Sequence, residues 1–373
     1  MKRYKAAVIG CSRMGGFIDH EVRNSNSIVL PYSHGAGYYA CDRTDLLACS
    51  DFRVEVMEEF GSLYDVAKER QYVDYRELID TERPEIVSVA TQPEHRAEIV
   101  NYAAEHGARA IYAEKAMAAS LQEADSMVDA VERNGVAFNL GTNRRWEQGY
   151  DTMKEVIDSG RLGALKSLII YATGSLFNTA SHSFDLVLRL NSDQPVAWVQ
   201  AHLPRGVSDE YSDGTDFTGF EGDRLLEDPV GHGTIQFQNG VTAYALSTGR
   251  GSEFEAVCEQ GVLTSMESRD EWHLREPGPK DHRGRRILVP GKFPEFERAS
   301  STLRLIEDLV HSLDTGEPPR GGVRVALAST ELIFAFIESH RRDGARVDLP
   351  LKDRSLRLLR DRAPLQPLFK PRE

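Results

Sequence analysis

Lys5-Ala-Ala-Val-Ile-Gly10 runs straight into Cys11-Ser-Arg-Met-Gly15-Gly16, and this junction limits the chain's possible folds more than any other stretch. Four apolar residues read as a buried strand, the first glycine permits a tight turn, and helix-compatible residues follow. The Gly15 position lets helix and strand pack closely. A helix N-terminus there, over Ser12, Arg13 and Met14, presents unpaired N–H groups suited to a pyrophosphate. The middle position of the glycine pattern is Ser12, which is small and can donate a hydrogen bond, although a glycine would let the backbone come closer. Alone, the stretch fits a nucleotide turn and an ordinary strand-to-helix turn equally well.

The same alternation continues to about Gly141. Apolar runs at Ala6 to Ile9, Leu46 to Ser50, Ile86 to Ala90, Ala110 to Ala113 and Val136 to Leu140 are interleaved with amphipathic stretches. Those stretches, Val54 to Phe60, Tyr75 to Ile79, Arg96 to His106 and Leu121 to Asn134, read as helices, with Gly107 and Gly135 as stops. The pattern predicts an α/β Rossmann domain over residues 1–141, a doubly wound parallel sheet with helices on both faces. Ligands of such sheets sit at the C-terminal strand ends. Tyr112-Ala-Glu-Lys-Ala116 places Glu114 and Lys115 at one of them, and Thr91 follows another. Leu46 to Asp51 ends in a carboxylate that would bond an adenosine ribose and repel a 2′-phosphate, favouring NAD over NADP. The alternative role for Asp51 is to cap the next helix. Arg53, two residues on, would instead accommodate a phosphate. Gly15 and Asp51 are farther apart than the usual ~20 residues, so an insertion is expected from Phe17 to His34, either lining the cofactor edge or looping over the surface.

At 373 residues the chain should form about two domains. Its hydrophobic content of 40% and charged content of 28% belong to a soluble globular protein, and a net charge of −13 disfavours a nucleic-acid surface. No apolar run nears the ~20 residues of a membrane span, and Met1-Lys-Arg-Tyr-Lys5 leads into a strand instead of a signal core. A cytoplasmic protein is expected. Cys11, Cys41, Cys49 and Cys258 lack pairing or ligand spacing, so neither disulfides nor a metal site are expected. The basic clusters Arg283 to Arg286 and Arg354 to Arg362 read as solvated faces or oligomer contacts.

After Trp146 the pattern changes to a mainly antiparallel sheet in an α+β domain over residues 142–350. A helix from Gly149 to Ser159 precedes strands at Leu165 to Tyr171, Ala197 to His202, Thr234 to Phe237, Val241 to Leu246, Phe254 to Cys258 and Gly261 to Met266. Gln238-Asn-Gly240 and Glu259-Gln-Gly261 read as hairpin turns. Two helices, Ser301 to Leu313 and Val323 to Arg342, should cover one face of this sheet. The other face would pair with a second copy in a homodimer or homotetramer. Gly206 to Gly222 reads as an irregular loop, either a lid or a surface excursion. Residues 351–373 read as an extension.

Asn178-Thr-Ala-Ser-His182-Ser-Phe-Asp185 opens an amphipathic helix in this second region, and Asn178 and His182 share a face if helical geometry already holds there. A histidine so placed serves either as a structural hydrogen-bonder or as an acid/base. Asp185 is its partner or a backbone anchor. Asn139, with Thr142 to Trp146 just after the last parallel strand, offers donors for a polyhydroxylated ligand, although Arg144, Arg145 and Trp146 equally suit an interdomain hinge.

The order and spacing of these features resemble the Gfo/Idh/MocA family of sugar and cyclitol oxidoreductases. The glycine turn is similar to Gly10 to Gly15, the family's Glu-Lys-Pro motif to Glu114-Lys115-Ala116, and its Asp-xxx-His motif to Asn178 to His182. Gly316-Glu-Pro-Pro319 and Gly344 to Pro350 add to the likeness. The resemblance implies a bound NAD and a sugar or cyclitol substrate. It also implies that Lys115 contacts the reacting hydroxyl, while His182 serves as general acid/base. Two departures stand out. Ala116 replaces the proline that helps aim the lysine. Asn178 replaces an aspartate, and an amide cannot stabilise an imidazolium. That second change keeps open a cycle of transient oxidation, elimination and hydride return without net redox. A non-catalytic nucleotide or sugar sensor is the third reading, against which stands the retention of Lys115 and His182.

Overall fold

The computed structural model describes residues 2–204, 219–248, 253–266 and 269–359. The chain divides into two units, the first comprising Met1–Trp146, Ala299–Ala328 and the chain from Arg357, the second Glu147–Arg298 and Ser329–Leu356.

Within the first unit, strands β1 (Tyr4–Ile9), β2 (Thr44–Ser50), β3 (Gln71–Tyr72), β4 (Ile86–Val89), β5 (Ala110–Ala113) and β6 (Ala137–Leu140) form the predicted parallel sheet in the order β3-β2-β1-β4-β5-β6. The order reverses between β1 and β4, which is where an open α/β sheet splays to leave a crevice at its strand ends. Ala6, Ala7 and Val8 are all fully buried, as a strand covered on both faces requires. Helices α1 (Ile18–Val22), α2 (His34–Ala40), α3 (Val54–Leu63), α4 (Tyr75–Glu82), α5 (Pro93–Glu105) and α6 (Leu121–Arg133) connect the strands. The expected helices lie within a few residues of their predicted bounds, while the Phe17-to-His34 segment proves more ordered than a surface loop. The Asp19 carboxylate accepts the N–H groups of Tyr32 (2.9 Å) and Ser33 (2.7 Å), folding the loop back on α1. Ser33 then caps α2, and Gly35 lets that helix press against the rings of Phe60 and Tyr64.

One expectation is overturned here. Helix α9 (Ser301–Thr315), following α7 (Gln148–Asp158) and α8 (Ser181–Leu190) in the chain, belongs to the first unit and not to the one that holds the antiparallel sheet. Its apolar face, Leu305, Ile306, Leu309 and Val310, joins Tyr4, Tyr38, Phe60 and Trp146 in one buried cluster. The unit thus recruits residues far beyond position 141. The division itself falls inside α10 (Val323–Arg341), whose Val323 and Ala326 enter the core beneath β4 and β5.

The second unit carries β7 (Leu165–Ile170), β8 (Val196–His202), β9 (Phe220–Glu221), β10 (Arg224–Leu225), β11 (His232–Phe237), β12 (Thr242–Ala245), β13 (Phe254–Cys258), β14 (Val262–Met266), β15 (Glu271–Lys280), β16 (Arg286–Gly291) and β17 (Val347–Asp348). Nine of them form a sheet in the order β16-β15-β14-β13-β7-β12-β11-β8-β17, antiparallel except for the β7–β12 pair. Both predicted hairpin turns are present, with Gly240 at φ +89° as such a turn demands. The β15–β16 hairpin was not expected. Pro277, Gly278, Pro279 and Pro290 interrupt its apolar alternation, and its register shifts between Pro277 and Lys280. The Arg283-to-Arg286 cluster forms its exposed turn, tied by the Asp281 carboxylate to the N–H groups of Arg283 and Arg285. Of the Gly206-to-Gly222 segment, residues 206–218 lie outside the described residues, as does the tail beyond Leu359. The four cysteines are free thiols and all buried. Among the described residues no helix is long and apolar enough to cross a membrane.

Candidate active site

At the end of β1 the chain turns at Gly10, whose φ of +89° favours glycine. A side chain there would sit 2.9 Å from the carbonyl oxygen of Ala90, and one at Gly15 would sit 1.9 Å from that of Gly10. These glycines therefore set the close approach of the turn to the β4 end and of the following helix to β1. That helix opens with a wide, π-type turn over Arg13–Phe17 before α1, and the Ser12 hydroxyl does not cap it. Ser12, Arg13 and Met14 are half-buried.

Asp51, 6% exposed, ends β2 and faces the same turn. One carboxylate oxygen accepts the Cys11 N–H at 2.9 Å, and the other accepts the Arg53 N–H at 3.0 Å. The carboxylate thus fixes the glycine turn and also supports the start of α3, as the capping reading expected. Arg53 lies 3.4 Å from it through Nε, with its guanidinium 5.4 Å from the centroid of the exposed Phe52 ring. Thr91 is half-buried just beyond β4.

β5 runs buried between β4 and β6 and ends at Glu114-Lys115. Glu114 is 4% exposed. Its Oε2 accepts the Lys115 N–H at 3.2 Å, and its Oε1 lies 3.1 Å from His34 Nε2. Burial pushes this carboxyl up, but the hydrogen bond from His34, with the charges of Lys115 and Arg96 contributing, holds it below its ordinary value. The Lys115–Ala116 peptide is cis. Sequence reasoning placed Glu114 and Lys115 here but missed His34, Ser88 and Arg96. The signal available was polar residues, each alone within otherwise apolar or helical surroundings.

Asn139, Arg145 and Trp146 are placed differently from the ligand-donor expectation. Asn139 is fully buried, donates to Asp308 Oδ2 at 2.8 Å and accepts the Gly321 N–H at 3.0 Å. Arg145 and Trp146 are each 1% exposed. Arg145 donates to the Arg320 carbonyl, and Trp146 packs against Gly321 and accepts from Arg304 through its carbonyl. These residues fasten the end of β6 to α9 and the turn beyond it. Arg144 remains half-buried.

In the second unit, helical geometry does hold across the Asn178 segment, as a wide turn over Leu176–Ala180 that continues into α8. Its start is fixed by Asp228, a residue the sequence reading did not single out. The two Asp228 oxygens accept the N–H groups of Phe177 (2.8 Å) and Asn178 (3.0 Å). Asn178, Thr179 and His182 are half-buried along this helix, whereas Asp185 is 2% exposed and faces the interior.

A glycine turn at the switch point and an acidic residue ending β2 define a nucleotide-binding Rossmann unit. Residues 4–142 match the model of the Gfo/Idh/MocA oxidoreductase family, described as an NAD-binding Rossmann fold. D-apiose dehydrogenase from Paraburkholderia graminis is 29% identical over 164 residues, 44% of this chain and 38% of that protein. Inositol 2-dehydrogenase from Salmonella typhimurium is 30% identical over 95 residues, 25% of this chain and 28% of that one. The matched stretches thus span well under half of these relatives. Among solved structures, aldose-aldose oxidoreductase from Caulobacter crescentus, complexed with glycerol, superposes with a TM-score of 0.72 at 18% identity, covering 93% of this chain and 100% of the other. Myo-inositol 2-dehydrogenase from Lactobacillus plantarum gives 0.67 at 17%, with 93% and 99% covered. Both show a shared fold extending through nearly the whole chain. The turn built by Gly10 and Gly15, with the Asp51 carboxylate beside it, fits the NAD named by the matched family model.

Proposed function

We propose that this protein is an NAD-dependent oxidoreductase acting on a ring hydroxyl of a sugar, sugar derivative or cyclitol. The observation that carries this reading is the placement of Glu114-Lys115 at the C-terminal end of β5, within a domain matched to the NAD-binding family. The names of the matched relatives, D-apiose and inositol dehydrogenases, support the substrate class. Gly10, Ser12, Arg13, Met14 and Gly15 would hold the cofactor's phosphates, Asp51 the adenosine ribose, and Thr91, Glu114 and Lys115 its nicotinamide end. Bound NAD supplies a hydride acceptor. The chain's own part is to take the hydroxyl proton. Lys115 stabilises the developing alkoxide and His182 accepts the proton, a division of roles that suits an ammonium and a neutral imidazole. Asn178, on the half-buried side of the same helix, binds a substrate hydroxyl, and Arg144 and Asp185 support the substrate region.

Asn178 also favours a second reading. With an amide where the family has a carboxylate, the imidazolium is less stabilised, which suits a cycle of transient oxidation, elimination and hydride return. A panel of cyclitols, aldoses, uronic acids and glycosides separates the cases. Growth of the reduced-nicotinamide absorbance supports a dehydrogenase. Product without net absorbance change supports the eliminating cycle. NAD binding by fluorescence quenching without product for any compound points to a sensor and sinks both enzymatic readings.

We also infer a homodimer or homotetramer assembled through the less buried face of the nine-stranded sheet. Ile169, Trp198, Tyr244 and Val257 all lie on that face by register, and Tyr244 is 41% exposed. Native mass spectrometry reporting only monomer would remove this inference.

A further inference from the structure

The end of β5 that carries Lys115 depends on buried polar groups contributed by other elements. Glu114 keeps an ionised carboxylate out of water, which is costly unless each oxygen is satisfied. Gly141 leaves room for it, since a side chain there would sit 2.7 Å from Glu114 Oε1. His34 is fully buried and constrained on three sides. Its Nδ1 lies 2.5 Å from Ser88 Oγ, its Nε2 faces Glu114, and its ring stacks on Tyr112 at 3.8 Å with 14° between planes. If Ser88 donates to Nδ1, the neutral ring donates from Nε2 to the carboxylate, and every group is satisfied. Arg96, 1% exposed on α5, provides a second brace by donating to the carbonyl oxygens of Ala116 and Thr91. The N–H of Lys115 is thereby held from one side and the carbonyl of Ala116 from the other.

We propose that His34 and Arg96 are positioning residues for Lys115, supplying through buried hydrogen bonds the rigidity that a proline would give at position 116. This rests on reading Lys115 as the catalytic lysine. His34 does more than brace: by donating to Glu114 Oε1, it satisfies a buried carboxylate next to Lys115. Glu114 also lies in the field of two cations, Lys115 and Arg96. Without the imidazole, the orphaned oxygen either draws in one of them or takes up a proton, and in both cases the lysine's surroundings change.

The test is trace acylation of the full-length protein with acetic anhydride, read by mass spectrometry as the labelling rate of Lys115 against exposed Lys292. His34→Leu should change that rate by about tenfold, and His34→Gln, which keeps an N–H donor, should restore most of it. Arg96→Lys, which loses the fork that reaches two carbonyls, should shift it in the same way. On a turned-over substrate, kcat should fall about 10- to 100-fold while KM and NAD affinity stay within about threefold. Unchanged Lys115 labelling in a folded His34→Leu protein overturns the proposal. Should that variant fail to fold, unchanged labelling in Arg96→Lys does so. Lys115→Met separates this inference from the functional reading. If that variant stays active, the catalytic assignment fails even where the labelling shifts are seen, and if the labelling is unaltered, the positioning role fails whatever Lys115→Met does.

Discussion

The two units store their polar chemistry in opposite ways. In the first, Glu114, His34, Ser88, Arg96 and Asn139 are all at or below 4% exposed, each with designated partners. In the second, Asn178, Thr179 and His182 stand half-buried on a helix beside an alternating sheet. Buried charge permits few substitutions, because removing one partner strands the other. A half-exposed helical face accepts many. The contrast matches the reach of the relatives: the family model ends at residue 142, whereas the fold likeness continues over 93% of the chain. The unit matched by the family model is thus the one whose polar groups are buried and partnered.

The sharpest way to break this contrast is Lys115→Met. Turnover should fall by about 10²- to 10⁴-fold with NAD affinity nearly unchanged, as measured by steady-state kinetics and fluorescence titration. Surviving activity would move the chemistry away from β5. Next is Leu305→Ala on α9. Its side chain is fully buried among first-unit residues, and its truncation should cost about 2–5 kcal/mol in urea unfolding. Hydrogen exchange should show the loss concentrated in β1 and β2, and a loss confined to the nine-stranded sheet would reassign the helix. Asp51→Ala should weaken NAD binding about tenfold, because the carboxylate fixes the Cys11 N–H of the glycine turn and, in the proposed site, would hold the ribose. An unchanged dissociation constant would leave it only the role of turn anchor.

Asn178→Asp probes the permissive side. A dehydrogenase accelerated about tenfold would mean that the amide limits proton transfer, while an unaltered rate would confine Asn178 to binding. The smallest expected effect is acid sensitivity. Glu114 is held below its ordinary value of 4.5, so its contribution to stability is complete above that pH and is lost as pH falls through the lower native value. Wild type should therefore lose stability more steeply than Glu114→Gln in that acid range. Parallel slopes would mean the carboxylate is no more stabilised when folded than when unfolded.

Much of the first unit was legible because period and punctuation agree: short apolar runs, Gly10 at a positive φ, and Gly107 and Gly135 as helix stops. The hairpin β15–β16 was not, since prolines and charges mask its alternation on a half-solvated edge. His34 was missed as a site residue because its value lies in Glu114 and Ser88, which are 80 and 54 positions away. Asn139 read as a ligand donor, and Arg145 and Trp146 as donors or a hinge, for the same reason in reverse. Their partners Asp308, Arg320 and Gly321 come more than 160 residues later, beyond the reach of any local pattern.

That fastening has a consequence for synthesis. As the chain leaves the ribosome, the parallel sheet is finished at Leu140, yet Tyr4, Tyr38 and Trp146 wait for Leu305, Ile306 and Leu309 to arrive. Until then the nascent unit shows water an oily flank, a surface that holdase chaperones would shield. A fragment cut after residue 146 should therefore precipitate or bind a hydrophobic dye, and adding back a peptide spanning 299–328 should quiet it.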